Sequence, residues 1–259
     1  MTVLRYHRMD PTGNITLLIE TPVAPAQRSA AAAALMALEP DAEQAGFLLE
    51  TPAGLRLEMA GGEFCGNATM SAAAWLCEKE GRCGRVTLGV SGAKTPVEVE
   101  VKPPQNGCYA CAVTMPPPDA VTECLLPLDG RLQPMPAVSF GGLTHLIVET
   151  PMARQDAELL IRQWCASLCA DALGLMLYDG QTQRLDPLVY VPGAGTCMWE
   201  RSCASGTTAV GLVLAKRADK TVRLTLQEPA GQLSVTAEPS GRAVLAGSVR
   251  LCGAKTVSI

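Results

Sequence analysis

Aromatic residues are scarce in this sequence: three Phe, three Trp and four Tyr, 4% of 259 residues. Any core must be filled by aliphatic side chains and alanine, and a hydrophobic fraction of 48% supplies them. Cationic charge is not in excess either. Lys and Arg number 21 against 25 Asp and Glu, a formal charge of −4. Without a basic stripe to neutralise phosphates, nucleic acid is excluded as a partner. No Lys/Arg cluster marks a membrane-facing patch. No apolar run is long enough to span a bilayer, and the opening MTVLRYHRMDPTGN has no apolar signal core. These absences define the expectation of a soluble cytoplasmic protein with no membrane partner. At this length the chain makes one large domain or two of ordinary size.

Cysteine, by contrast, is plentiful. An odd total of eleven, spread along a chain without a signal peptide, speaks for reduced thiols rather than a disulfide framework. Cys108 and Cys111 form one C-x-x-C, but no second pair follows at zinc spacing, and His7 and His145 are not placed to help. The segment CYACAVTM reads as a strand, where residues three apart face opposite ways. No metal site is expected. A pyridoxal enzyme would need a Schiff-base lysine and a phosphate cradle. Lys94, the one suggestive lysine, stands in a turn between strands.

The chain contains itself twice. GNITLLIET from Gly13 is matched by GLTHLIVET from Gly142, and AGFLLE around Gly46 by LGLMLY around Gly174. A helical stretch lies between these segments in each half, QRSAAAAALMALE and then RQDAELLIRQWCASLC. FCGNATMSAAAWL is matched by SCASGTTAVGLVL, and the strand pair VTLGV, VEVEV by VRLTL, LSVTA. Single matches of this kind are weak; the same five in the same order are a duplication. The second half carries about ten extra residues ahead of its cysteine. Two α/β (α+β) domains of similar shape are expected, each a curved, mostly antiparallel sheet packed on a helix. Their boundary is expected near the proline-rich Met115–Ala120, giving 1–118 and 119–259, with the final strand free to pack on the first lobe. A fused duplication sets equivalent residues about a cleft between the halves.

The repeated element with chemistry in it is cysteine followed by small and polar residues, Cys65-Gly66-Asn67-Ala68-Thr69 and Cys203-Ala204-Ser205-Gly206-Thr207. Each precedes a helical stretch, and Asn67 and Ser205 suit a helix start. At such a place the free N–H groups and the helix dipole favour a thiolate, and the same N–H groups favour a bound carboxylate. Two such loops, one per half, can act on opposite faces of one carbon. One thiolate removes an α-proton and one thiol delivers another, which is general acid–base catalysis with matched groups.

At these residues the sequence resembles the diaminopimelate epimerase and proline racemase superfamily, and more narrowly the histidine racemases that feed opine-type metallophore synthesis. The resemblance covers nearly the whole chain, through PTGNITLLI, EQAGFL, GGEFCGNATMS, DPLVYVP and WERSCASGT. EFCGNATMS stands where diaminopimelate epimerases carry CGNGARC. Glu200 and Arg201 lie almost directly before Cys203, whereas those epimerases place ERGAGET several residues ahead. The resemblance implies a diaminopimelate epimerase-like fold with pseudo-two-fold-related domains around central helices. It also implies no cofactor and no metal, a two-base mechanism and a homodimer. Residue by residue it implies Cys65 and Cys203 as the catalytic pair, and Gly66, Asn67, Ala204 and Ser205 as the loop positions that hold the substrate carboxylate. Asn14 is implied as a substrate contact and Glu200 as the partner of the substrate's amino group.

Several other polar residues are open to more than one reading. Glu43 and Gln44 either read the distal group of the substrate or cap a turn. Glu63 either contacts the substrate, tunes the Cys65 thiol, or does neither. Arg201 pairs with Glu200 or binds a distal carboxylate, which keeps an acidic substrate open. His145 and His7 read as structural. The expected activity is racemisation of L-histidine, with diaminopimelate or another amino acid as alternatives. A non-catalytic amino-acid-binding protein is the reading of another class; its mark would be loss of one cysteine, and both are kept. A phenazine-synthesis-type isomerase shares the fold without the cysteine pair.

Overall fold

This computed structural model describes residues 2–259. The chain forms two compact units. The first takes in the chain up to Thr114 and again Ala246–Ile259; the second is Met115–Leu245.

The first unit runs β1 (Val3–Pro11), β2 (Thr16–Ile19), α1 (Arg28–Leu38), β3 (Gln44–Thr51), β4 (Gly54–Met59), α2 (Gly66–Glu80), β5 (Gly84–Val90), β6 (Val97–Val101) and β7 (Cys108–Thr114). Its strands lie in sequence order. The last strand of the chain, β16 (Ala243–Ser258), stands beside both β7 and β1, so the sheet closes on itself. Most neighbours are antiparallel. The parallel pairs β2–β3 and β4–β5 are those whose strands are joined through a helix, as a parallel crossover requires. In β6 the sequence VEVEV alternates, and Val97, Val99 and Val101 are buried while the glutamates face out.

Helix α2 is not amphipathic, and the fold explains why. Every residue from Gly66 to Trp75 is buried, because β1, β2, β5, β6 and β7 all contact it. A helix buried all round needs small side chains where strands approach closely, and the run Ser71-Ala72-Ala73-Ala74 provides them. It ends at Gly81, left-handed at φ 66°, the usual glycine stop. Helix α1 covers the outside, burying Ala31, Ala32 and Leu35 against Leu17, Ile19 and Phe47.

The second unit repeats the plan: β8 (Ala120–Leu128), β9 (Arg131–Phe140), β10 (Leu143–Val148), α3 (Arg154–Leu168), β11 (Ala172–Asp179), β12 (Arg184–Val191), β13 (Thr196–Trp199), α4 (Ala204–Ala218), β14 (Val222–Glu228) and β15 (Gly231–Ala237). The strand order is β15-β14-β12-β11-β10-β9-β8, with β13 on β12. Helix-joined strands are again parallel, β10 with β11 and β12 with β14. Helix α4 is the enclosed one, in contact with β9, β10, β11, β14 and β15. Helix α3 is amphipathic. Ala157, Ile161, Trp164 and Cys165 form one stripe that packs on Leu146, Leu173, Leu175 and Leu188. Trp164 is fully buried and gives its indole N–H to Pro127 O at 3.1 Å; truncation to alanine would cost about 3–5 kcal/mol. The ten extra residues ahead of Cys203 are placed: two in the β11–β12 turn, two in β12 and six between β12 and Cys203.

The fold is thus mixed α/β and dominated by sheet, with each unit wrapped on a central helix that starts at one of the two repeated cysteines. Among the described residues no helix is long and apolar enough to cross a membrane.

Candidate active site

In both loops the sulfur itself caps the helix. Cys65 has φ −129° and ψ 115°, and its Sγ accepts the Ala68 N–H at 3.4 Å. Cys203 has φ −128° and ψ 103°, and its Sγ accepts the Gly206 N–H at 3.3 Å. Asn67 and Ser205 are not the caps that their residue type suggests; both lie inside the first turn. The extended backbone at each cysteine turns its side chain back over the helix start, leaving the N–H groups of the first turn around the sulfur. A thiolate there gains from the helix dipole.

A chain of hydrogen bonds through two amides, a hydroxyl and a carboxylate leads away from Cys65. The thiol donates to Gln44 Oε1 at 2.8 Å. Gln44 Nε2 donates to Thr16 Oγ1 at 3.0 Å and to Asn14 Oδ1. Asn14 Nδ2 donates to Glu43 Oε2 at 2.6 Å. The residues from Asn14 to Thr16 and the pair Glu43, Gln44 come together because β2 and β3 pair in parallel with Thr16 opposite Gln44. Asn14 and Thr16 are buried. Thr69 closes the turn by donating to Cys65 O at 2.7 Å. Glu63 stands apart: it is exposed, its carboxylate folds over Gly61, and its carbonyl accepts from Ser91 Oγ at 2.8 Å. Gly92, at φ +71°, packs so tightly on the backbone of Glu63 and Phe64 that a Cβ has no room, which pins the approach to Cys65.

Around Cys203 the setting is different. Its N–H donates to Glu228 Oε2 at 2.6 Å, and Glu228 Oε1 takes the Thr207 hydroxyl. Glu200 hydrogen-bonds the thiol. Ser205 Oγ lies 3.6 Å from the sulfur and 2.8 Å from His145 Nε2. Burial and the two carboxylates push the Cys203 thiol well above its ordinary value. Burial raises Glu200 to about 7, and burial raises Glu228 to about 8. His145 is fully buried, and burial drives its imidazole down to about 3, so it is neutral. Its Nδ1 has no hydrogen-bond partner. Gly174 is its strand partner across β10–β11, and a Cβ there would overlap the imidazole. Ala204 is buried beside Cys203, and Arg201 is exposed, its carbonyl accepting the Ala230 N–H at 3.0 Å.

Two groups here escape the sequence reading. Glu228 ends β14 on the same face as Leu226, both buried, so a glutamate on the inward register of VRLTLQE was the available signal. His145, read as structural, occupies the repeat position of Thr16, which in the first unit belongs to the Cys65 network. His7 bonds Glu20 Oε2 at 3.1 Å and tilts against Trp75.

The family model described as the histidine racemase CntK N-terminal domain matches residues 3–255. The chain belongs to this histidine racemase family. It is 27% identical over 249 residues to a histidine racemase of Staphylococcus aureus, covering 91% of this chain and 89% of that protein. It is 27% identical over 248 residues to a histidine racemase of Fusobacterium nucleatum, with 91% and 89% covered. In fold it is similar to a hydroxyproline epimerase of Agrobacterium vitis, at TM-score 0.75 and 12% identity over 99% of this chain and 93% of that one. The chain is an isomerase, an amino-acid racemase.

Proposed function

We propose that this racemase interconverts L-histidine and D-histidine without a cofactor, using Cys65 and Cys203 as an acid–base pair on opposite faces of the α-carbon. The observation that carries the reading is the matched capping geometry. Two cysteines in two repeated units have the same backbone conformation, each with its sulfur over the first turn of an enclosed helix. Histidine is supported by the relatives, which carry that substrate in their names.

The step balances without redox chemistry. A thiolate takes the α-proton as the C–H bond breaks, and the opposite thiol's S–H bond breaks as a new C–H bond forms. One proton leaves and one arrives. The negative charge that builds on the α-carbon spreads into the carboxylate, where the N–H groups of Gly66, Asn67, Ala204 and Ser205 hold it. In this reading Asn14, Glu43 and Gln44 orient the substrate, and Glu200 meets its amino group. A serine oxygen is too weak a base for the task at neutral pH.

The test is purified protein with L-histidine, no added cofactor and a chelator present, followed by loss of optical activity and by chiral chromatography. We expect the rotation to fall to zero with equal enantiomers at the end. Alkylation with iodoacetamide should abolish turnover, and bound histidine should protect. Full activity with both thiols alkylated, or another amino acid turned over far better than histidine, contradicts the mechanism or the substrate respectively.

A further inference from the structure

Glu228 is the side chain that grips the backbone of Cys203. β5 and β14 are both seven residues long, and where β14 ends in Glu228, β5 ends in Val90. In the first unit Thr69 gives its hydroxyl to the Cys65 carbonyl. In the second the equivalent Thr207 turns to Glu228 instead. Glu228 is 2% exposed, and both its oxygens are engaged, one by Thr207 and one by the Cys203 N–H at 2.6 Å. The next turn reinforces the clamp, because Ala230 N–H bonds Arg201 O at 3.0 Å on the strand-to-helix approach.

We propose that Glu228 is a positioning residue that fixes the Cys203 backbone and holds Cys203 as the thiol, so that in the resting enzyme Cys203 is the proton donor and Cys65 the acceptor. The inference rests on the two-cysteine reading above. A carboxylate this close to the cysteine opposes a second negative charge on its sulfur. Glu200 from the loop before α4 acts on the sulfur in the same direction, and Asp186 on β12 acts on Glu228, which it raises. Ser205 opposes them by hydrogen-bonding the sulfur, and His145 on β10, which reaches Ser205, is uncharged. Burial raises both the Glu228 carboxyl and the Cys203 thiol, and the ionised carboxylate raises the thiol further.

The experiment is a pH titration of the whole enzyme labelled with [13Cβ]cysteine, with the Cys203 signal assigned by its absence in Cys203→Ser. Glu228→Gln keeps an oxygen for the Cys203 N–H and an amide for Thr207 but removes the charge. We expect the Cys203 midpoint to move down by one pH unit or more in Glu228→Gln. An unchanged midpoint overturns the proposal. If Glu228→Gln does not fold, the unmodified enzyme decides, read with 13C-carboxyl and 13Cβ-cysteine labels together. A Cys203 signal that responds at the Glu228 midpoint supports the proposal, and a Cys203 signal that ignores it overturns the proposal. Racemisation by Cys203→Ser at the full rate would sink the two-cysteine reading itself, a result separable from either titration.

Discussion

Cys65 and Cys203 have closely similar backbone angles and the same kind of capping bond, yet different neighbours. Cys65 donates to an amide that is itself held by Asn14 and Thr16. Cys203 is bonded by Glu200, its backbone is gripped by Glu228, and its sulfur lies beside Ser205, which in turn bonds a neutral His145. Duplication kept the feature that sets the sulfur at a helix start and let the surroundings diverge. Under the proposed two-cysteine mechanism one sulfur gives a proton while the other takes one, and the divergent surroundings are what would distinguish them.

The comparison can be broken most forcefully at the sulfurs. Cys65→Ser and Cys203→Ser should each lower kcat for histidine racemisation by roughly two to four orders of magnitude, the usual worth of a positioned acid or base. Steady-state rates by circular dichroism check this, and a variant within tenfold of the unmodified enzyme would break the equivalence of the two loops. Next come the repeat-equivalent glycines. At Gly46 a Cβ would press the far ends of Leu57 and Met59, which can move, and alanine should cost about 1 kcal/mol. At Gly174 it would meet the His145 ring, which is hydrogen-bonded and enclosed, and alanine should cost about 3 kcal/mol. Urea unfolding of the two variants reads the difference.

His145 makes a pH prediction. Its imidazole ionises at about 3 in the folded protein, against about 6.5 in an unfolded chain. The depressed value means that the unfolded chain binds the proton first. The stability is therefore complete above pH 6.5 and falls as the pH drops toward 3. Between pH 6.5 and 4 the loss should be about 2–3 kcal/mol, seen as a falling urea midpoint, and His145→Gln should flatten that part of the curve. The smallest effect separates the threonines. Thr69→Val removes a bond to a helix carbonyl and should cost about 1 kcal/mol, whereas Thr207→Val strips a donor from a buried carboxyl and should cost about 1–2 kcal/mol more.

Much of this was legible in the sequence because it is local or repeated. The alternating VEVEV, the amphipathic α3 and the alanine-rich run after Cys65 each declare an element by its own pattern, and the doubled order of segments declares the shared plan of the two units. The cysteine loops stood out because they occur twice. What was not legible depends on strand register. Thr207 and Glu228 are 21 positions apart, and Ser205 and His145 are 60 apart; neither contact leaves a local pattern. The sulfur's role as the cap was hidden for another reason. Asn67 and Ser205 are better cap formers by type, but the extended backbone falls on the cysteine.

The central claim is that two different groups serve the two faces of the α-carbon. The direct measurement is racemisation of L-histidine in deuterated water, stopped at low conversion, with both enantiomers separated and weighed by mass spectrometry. Two bases predict D-histidine carrying deuterium at the α-carbon while the remaining L-histidine keeps its proton. Deuterium appearing equally in both, or the original proton retained in the product, would mean that one group serves both faces and would contradict the account.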